Sequence, residues 1–258
     1  MLRVLPRVCT RIPRRPSPLQ YSRRPFHSSS SSRRSYHPGY FRFLDDIPED
    51  TVFWSIIGLN GAVFAMAWWA KKKLEVERNP ALYRWFQKNF TSSWNNISAG
   101  RIWTPVTSAF AHADFSHILF NGFTFYFMAP LTLSILGSRQ FLFLYLGGIC
   151  SIHLSGGASA ALGSVAYTNI WRGRDVPSVG ASGAIYSVLS FLAFQAPRMT
   201  LLLYGIIPVP IYLAVGGLFS YDLYRTVQDN GGKTNTSAHV GGALAGAAYF
   251  FLRRFRMF

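Results

Sequence analysis

The amino-acid sequence predicts an all-α integral membrane protein with six transmembrane helices, of which the fourth is short and starts inside the membrane. Half of the 258 residues are hydrophobic. After residue 50, hydropathy divides the chain into apolar segments at about 52–70, 115–136, 141–163, 182–196, 200–220 and 238–252. Most of these run for about 20 residues without a charge, which suffices for a helix to cross about 30 Å of hydrocarbon. A soluble protein with buried helices does not explain so many charge-free runs.

Residues 1–40 form a basic leader in front of a single domain, residues 41–258. Ten Arg and no Lys precede the first carboxylate, Asp45, and without them the formal net charge falls from +16 to about +6. An Arg-rich, Ser-rich and acid-free N-terminus is typical of a mitochondrial or plastid transit peptide. An Arg stands two residues before Phe26 and before Tyr36, so cleavage after either residue fits the pattern. The alternative is a basic tail that binds nucleic acid or anionic lipid, but no nucleic-acid-binding motif follows, so no nucleic-acid partner is expected.

The first three apolar segments are full crossings. Segment 52–70 is followed by a long mixed loop, in which the aromatic-rich stretch near Leu82–Phe90 predicts a helix at the membrane interface. Segments 115–136 and 141–163 are separated by Gly137, which favours a short connection.

The fourth segment, 182–196, is too short to cross the bilayer. Its 15 residues make about 22 Å of helix, whereas a crossing needs about 30 Å. The preceding stretch contains Arg172, Arg174 and Asp175 and therefore cannot face lipid. Non-helical backbone at that depth is tolerated where it is buried in protein or lines a wet cavity. We therefore expect Ser182 below the membrane surface, at a helix start and beside water.

The last two segments, 200–220 and 238–252, complete the six. Pro197 and Pro208 punctuate the region before and within the fifth segment. In the sixth segment Gly242 and Gly246 form a GxxxG pattern, which lets a neighbouring backbone approach closely. If that neighbour is the fourth helix, the packing brings His239 to Ser182.

Strongly polar groups within these segments are expensive and are therefore candidate functional residues. His117 and Asn121 share one face of the second segment, and Ser182 and Tyr186 share one face of the fourth. A Ser hydroxyl is a weak nucleophile that needs a base, and the His239 imidazole is suited to that task. Each group also has a structural interpretation, because intramembrane His and Asn often only join helices.

The oxyanion of an acyl-transfer intermediate needs hydrogen-bond donors. His117, Asn121 and the backbone N–H of Ser182 are groups of the right kind, and the helix start adds the positive end of a dipole. Asp and Glu are absent from the predicted apolar segments. A Ser-His-Asp triad is therefore not expected, and a Ser-His dyad with Tyr186 packed on the imidazole is the natural substitute.

In sequence order, the elements HADFSHILFN, GASGAIY and AHVGGALAG resemble those of the rhomboid family of intramembrane serine proteases. The resemblance covers about 200 residues and implies a six-helix rhomboid core that cleaves transmembrane protein substrates without a cofactor or metal. It implies roles for the following residues: Ser182 as nucleophile, His239 as base, His117 and Asn121 in the oxyanion hole, Tyr186 beside His239, and Gly180, Gly183 and His112 as supporting residues.

Together with the leader, the resemblance implies a multi-pass protein of the mitochondrial inner membrane. Both termini would lie in the matrix, and the site would open toward the intermembrane space. The loops on the intermembrane-space side would carry 11 Lys and Arg and the matrix side from residue 37 onward only 6, so charge alone leaves the orientation open. No motif identifies a particular substrate, a regulator or an oligomeric state.

Some features depart from the rhomboid pattern. Trp103-Thr104 stands where many members have Trp-Arg, and LTLSILG lacks the acid that many members carry before the Gly. Some mitochondrial members have an additional N-terminal helix, and we expect none before residue 51, because no apolar run precedes it. These differences concern the scaffold and leave the Ser-His pair intact.

Three other functions compete with the protease. The first is a non-catalytic rhomboid-like protein that binds transmembrane helices, which the complete Ser-His pair argues against. A transporter or channel predicts an internal repeat, and the sequence shows none. A zinc hydrolase is disfavoured because His112 and His117 are five residues apart and no HExxH occurs.

Overall fold

The computed structural model describes residues 41–146, 162–203, 206–228 and 235–255. The predicted leader and the middle of the predicted third helix, residues 147–161, lie outside the described residues. The described chain is mostly helical. In order, its elements are a 3₁₀ turn at Arg42–Asp46, α1 Glu49–Glu77, α2 Ala81–Phe90, α3 Trp94–Ser98, α4 Thr104–Thr107, a 3₁₀ turn at Ser108–Phe110, α5 Phe115–Leu136, α6 Ser138–Leu146, a π-helical turn at Tyr167–Trp171, α7 Ser182–Gln195, β1 Thr200–Leu203, β2 Ile207–Pro210, α8 Ile211–Gln228 and α9 Thr236–Arg254.

Helix α1 is longer than the predicted segment 52–70, because its charged end stays helical. Lys72 Nζ lies 2.8 Å from Glu75 Oε2, and Lys73 Nζ lies 3.5 Å from Glu77 Oε2. Pairs three and four residues apart meet on one helix face and support the last turns. The helix ends at Glu77, and the backbone of the next residue, Arg78, is left-handed.

The connection between α1 and α5 is held against the stretch that precedes α7. Asp175 accepts hydrogen bonds from the backbone N–H groups of Trp94 and Asn95, at 2.7 and 3.0 Å. Ser92 and Ser178 exchange two backbone hydrogen bonds, at 2.9 and 2.8 Å. A carboxylate at a helix N-terminus satisfies N–H groups that have no intrahelical partner. Asp175 was expected not to face lipid. In the structure it joins the connection between α1 and α5 to the stretch that precedes α7.

Helix α5 has the bounds expected of the second segment, and both of its ends have a local cause. Asp114 caps its start by accepting a hydrogen bond from the His117 N–H at 2.8 Å. Gly137 ends it with a φ of +75°, a conformation that suits glycine. Helix α6 then begins at once.

The predicted fifth helix, 200–220, is wrong over its first half. Thr200–Leu203 and Ile207–Pro210 form an antiparallel hairpin in which Leu202 is opposite Pro208. Pro208 and Pro210 have no N–H and interrupt a helix, so α8 begins only at Ile211. It continues to Gln228, eight residues past the predicted end. The described part of the chain is therefore mostly helical, with one small β-hairpin.

Helix α7 lies at the centre of the described chain and packs closely on α9. Most of its residues are buried, from Gly183 to Leu192. A Cβ placed on Gly242 would lie 2.1 Å from the Gly183 carbonyl oxygen, and one on Gly246 would lie 2.1 Å from the Ser187 carbonyl oxygen. Only glycine permits this approach, so the GxxxG interpretation of the sequence is confirmed.

Two described helices, α1 and α5, have the length and apolar composition needed to cross a membrane. Helix α7 is apolar but has 14 residues, about 21 Å of helix, and is enclosed by its neighbours. The described residues therefore support a helical membrane protein, and the count of six crossings remains a prediction.

Candidate active site

The structure brings Ser182 and His239 into hydrogen-bond contact. Ser182 is the first residue of α7, and His239 lies in the first turn of α9. The Ser182 Oγ and His239 Nε2 atoms are 2.9 Å apart, although the residues are 57 positions apart in sequence. Because the hydroxyl stands at a helix N-terminus, the dipole of α7 favours negative charge beside it. A Ser–His pair in this geometry is able to generate an alkoxide nucleophile.

Tyr186 lies one helical turn after Ser182 and packs on the imidazole. The Tyr186 and His239 rings are stacked, with centroids 4.4 Å apart and an interplanar angle of 14°. The stack fixes the plane of the imidazole.

The expectation that no acid accompanies these residues is wrong. The carboxylate oxygen Oδ2 of Asp222 lies 3.0 Å from His239 Nδ1 and accepts a hydrogen bond from the Tyr186 hydroxyl at 2.5 Å. Asp222 is 4% exposed. Asp222 was not among the sequence-predicted site residues, because the fifth helix was expected to end at residue 220. A helix that starts after Pro210 would have included this acid, and an intramembrane acid is a functional candidate.

Gly180 places the His117 ring against Ser182. Its backbone φ is +131°, and a Cβ there would lie 2.7 Å from His117 Cε1 and 3.7 Å from Ser182 Oγ. The His117 ring and the Ser182 hydroxyl therefore border the same space beside Gly180. Gly183, the other supporting glycine, serves the α7–α9 contact instead.

Asn121 and His112 line a cavity next to the start of α7. The cavity has a volume of about 310 Å³ and also touches Ala181, the residue before the nucleophile candidate. The Asn121 Nδ2 atom is buried and has no hydrogen-bond partner among the described residues. An unpaired buried donor is costly, so such a group calls for an explanation.

His112 is buried in the loop before α5 and meets His117 edge to face. Their ring centroids are 5.0 Å apart at 71°. Burial, with a contribution from the neighbouring His117, lowers the pKa of His112 to about 4, so the ring is neutral at physiological pH. Hydrogen bonds from the Ser116 hydroxyl and from the His117 N–H hold the pKa of the Asp114 carboxyl below its usual value.

The fold and the site together define a class: a helical membrane protein that carries a Ser–His pair of the kind found in serine hydrolases. Residues 99–255 match the family model described as "Rhomboid domain". The chain belongs to the rhomboid family, as the resemblance predicted.

The chain is similar to several mitochondrial rhomboid proteins. It is 31% identical over 219 residues to "RHOMBOID-like protein 12, mitochondrial" of Arabidopsis thaliana, covering 81% of this chain and 60% of that protein. It is 33% identical over 178 residues to "Presenilin-associated rhomboid-like protein A, mitochondrial" of Danio rerio, covering 67% and 42%. With "Rhomboid protein 1, mitochondrial" of Saccharomyces cerevisiae the identity is 27% over 220 residues, covering 83% and 56%. The chain thus spans about half the length of these relatives and is a rhomboid of the mitochondrial type.

Proposed function

We propose that this protein is an intramembrane serine endopeptidase that cleaves transmembrane protein substrates in the mitochondrial inner membrane. The observation that carries the proposal is the 2.9 Å contact between Ser182 Oγ and His239 Nε2, which is partly buried at the start of α7. Membership of the rhomboid family and the mitochondrial relatives support it, as does the Arg-rich leader. In this proposal the chain crosses the membrane six times and places both termini in the matrix.

In the first chemical step, His239 Nε2 takes the proton of the Ser182 hydroxyl as the oxygen attacks the scissile carbonyl. The resulting oxyanion needs donors that are already in place. The unpaired Asn121 Nδ2 and the His117 ring are two of them. The third donor is the Ser182 N–H. It belongs to the first turn of α7, where the backbone N–H groups have no acceptor within the helix.

In the second step, protonated His239 gives its proton to the leaving amine, and an acyl group remains on Ser182. Water then attacks the ester with the same imidazole as base, which releases the acid product and restores the hydroxyl. The substrate must present an extended strand to Ser182, so a transmembrane helix has to unwind locally before cleavage.

Labelling with a fluorophosphonate probe tests the proposal on detergent-solubilised protein. Wild type should label, and Ser182→Ala and His239→Ala should not. Ser190→Ala is the matched control, because Ser190 is buried on the same helix two turns away and should leave labelling unchanged.

Cleavage is tested separately with single-pass membrane proteins co-reconstituted in vesicles, by mass spectrometry of new peptide termini. Termini near the membrane face that require Ser182 support an endopeptidase. A folded wild-type protein that neither labels nor cleaves contradicts the proposal and favours the non-catalytic protein that binds transmembrane helices.

A further inference from the structure

Asp222 is the inward-facing residue of the second half of α8. Its neighbours Tyr221 and Leu223 are 58% and 41% exposed, whereas Asp222 is 4% exposed. The buried residues of α8 are otherwise Ile211 and Val215, both in its first half. The carboxylate therefore points away from the lipid-facing side of α8 and into the space between α7 and α9.

Among the residues that the structure describes, neither a Lys nor an Arg forms an ion pair with the buried Asp222 carboxylate. Its Oδ2 atom accepts from the Tyr186 hydroxyl on α7 and faces His239 Nδ1 on α9. A buried carboxylate is costly unless it is paired and hydrogen-bonded. These two contacts join three helices at one oxygen atom.

We propose that Asp222 is a positioning residue for His239 and completes a Ser-His-Asp arrangement in this rhomboid; the inference rests on the proposed function. When the His239 Nδ1–H donates to Asp222, the tautomer is fixed with the lone pair on Nε2. That lone pair faces Ser182 Oγ at 2.9 Å. The carboxylate also stabilises the imidazolium that forms when the serine proton is transferred.

Tyr186 has two separable roles in this arrangement. Its ring stacks on the imidazole, and its hydroxyl holds the Asp222 oxygen. Replacing Tyr186 by Phe removes the second role and keeps the first. This variant therefore probes the carboxylate contact without removing the stack.

The arrangement also makes the site depend on the position of α8. Ser182 belongs to α7 and His239 to α9, and these helices are locked together by Gly242 and Gly246. Asp222 arrives on a third helix, which packs on both. The base is therefore oriented only while the second half of α8 lies against them.

The test compares wild type, Asp222→Asn and Tyr186→Phe in the fluorophosphonate reaction, with separate determination of the maximal acylation rate and of the probe's half-saturating concentration. Asp222→Asn keeps the shape and removes the charge. We expect the maximal rate to fall at least about 100-fold, as for the acid of other serine triads. The half-saturating concentration and the melting temperature should stay near the wild-type values. Tyr186→Phe should give a smaller fall in the maximal rate.

The matched control is Asp175→Asn. Asp175 also accepts two hydrogen bonds, but they come from the N-terminus of α3 and not from the site. This variant should lower the melting temperature and leave the maximal acylation rate of the folded protein unchanged. A purely structural role of Asp222 would make the two Asn variants behave alike.

Wild-type labelling together with an Asp222→Asn rate within about threefold of wild type would overturn this inference and leave the proposed function standing. If Asp222→Asn does not fold, a wild-type rate in Tyr186→Phe would overturn it equally. A wild-type protein that does not label would overturn the proposed function, and the inference with it.

Discussion

Gly242→Ala is the substitution that most directly tests how the two helices assemble the site. Gly242 lies one turn after His239 on α9, and its contact partner Gly183 follows Ser182 on α7. A Cβ at residue 242 would lie 2.1 Å from the Gly183 carbonyl oxygen and 2.9 Å from the carbonyl carbon. The obstacle is backbone, which cannot rotate away as a side chain does.

The required movement follows from these distances. Ordinary van der Waals contact begins near 3.4 Å, so α9 must move from α7 by about 1.3 Å. The Ser182 Oγ–His239 Nε2 distance of 2.9 Å would then exceed the range of a hydrogen bond. Overpacking of this kind costs roughly 1–3 kcal/mol, and a misplacement of about 1 Å at a reacting group costs about 100-fold in rate.

The assay is the fluorophosphonate labelling rate combined with thermal unfolding in detergent. The matched control is Gly217→Ala on α8, where a Cβ would meet nothing within 4 Å. In both variants the change from Gly to Ala raises the helix propensity by the same amount, about 1 kcal/mol. A difference between them in melting temperature or labelling rate therefore comes from the clash at residue 242. We expect Gly242→Ala to melt several degrees below Gly217→Ala and to label about 100-fold more slowly. Equal melting temperatures and equal labelling rates would refute the argument.

Three further predictions concern the groups around Ser182. Gly180→Ala should abolish labelling, because a Cβ at 2.7 Å displaces His117 and the φ of +131° disfavours alanine; a wild-type rate would contradict the placement of His117. Asn121→Ala should lower the maximal acylation rate roughly 100- to 1,000-fold and leave probe binding unchanged, whereas a change confined to probe binding would exclude it as an oxyanion donor. Burial lowers the pKa of His112 from 6.5 in the unfolded chain to about 4 in the folded protein, so acid favours the unfolded state. Stability should therefore be intact above pH 6.5 and decline by up to about 3 kcal/mol as the pH falls to 4, and His112→Gln should remove this part of the decline in thermal unfolding scans.

Much of the candidate site was predictable because its signals are local. Ser182 at the start of a short apolar helix follows from segment length and from the charged stretch before it. The close packing of α9 on a neighbouring helix follows from the spacing of Gly242 and Gly246, because glycines four residues apart on an apolar helix let another backbone approach closely. The helical spacings of His117 with Asn121 and of Ser182 with Tyr186 required no tertiary information.

The hairpin shows where local signals were insufficient. The run from residue 200 to residue 220 is uncharged throughout and has the length of a membrane helix, and hydropathy does not separate a helix from a strand in such a run. Pro208 marked an interruption, but only the pairing of Leu202 with Pro208 turned it into a hairpin. As a result, α8 begins at Ile211 and not at residue 200.

By itself, the sequence determined the helical membrane class, the family and the residues of the Ser–His pair, since these depend on composition, on length and on motifs within single segments. The tertiary structure decided that Asp222 joins them. Its contact with His239 depends on where α8 begins and on which of its faces packs against α7 and α9. Those are properties of several helices together, and no periodicity within one of them encodes the resulting 3.0 Å contact.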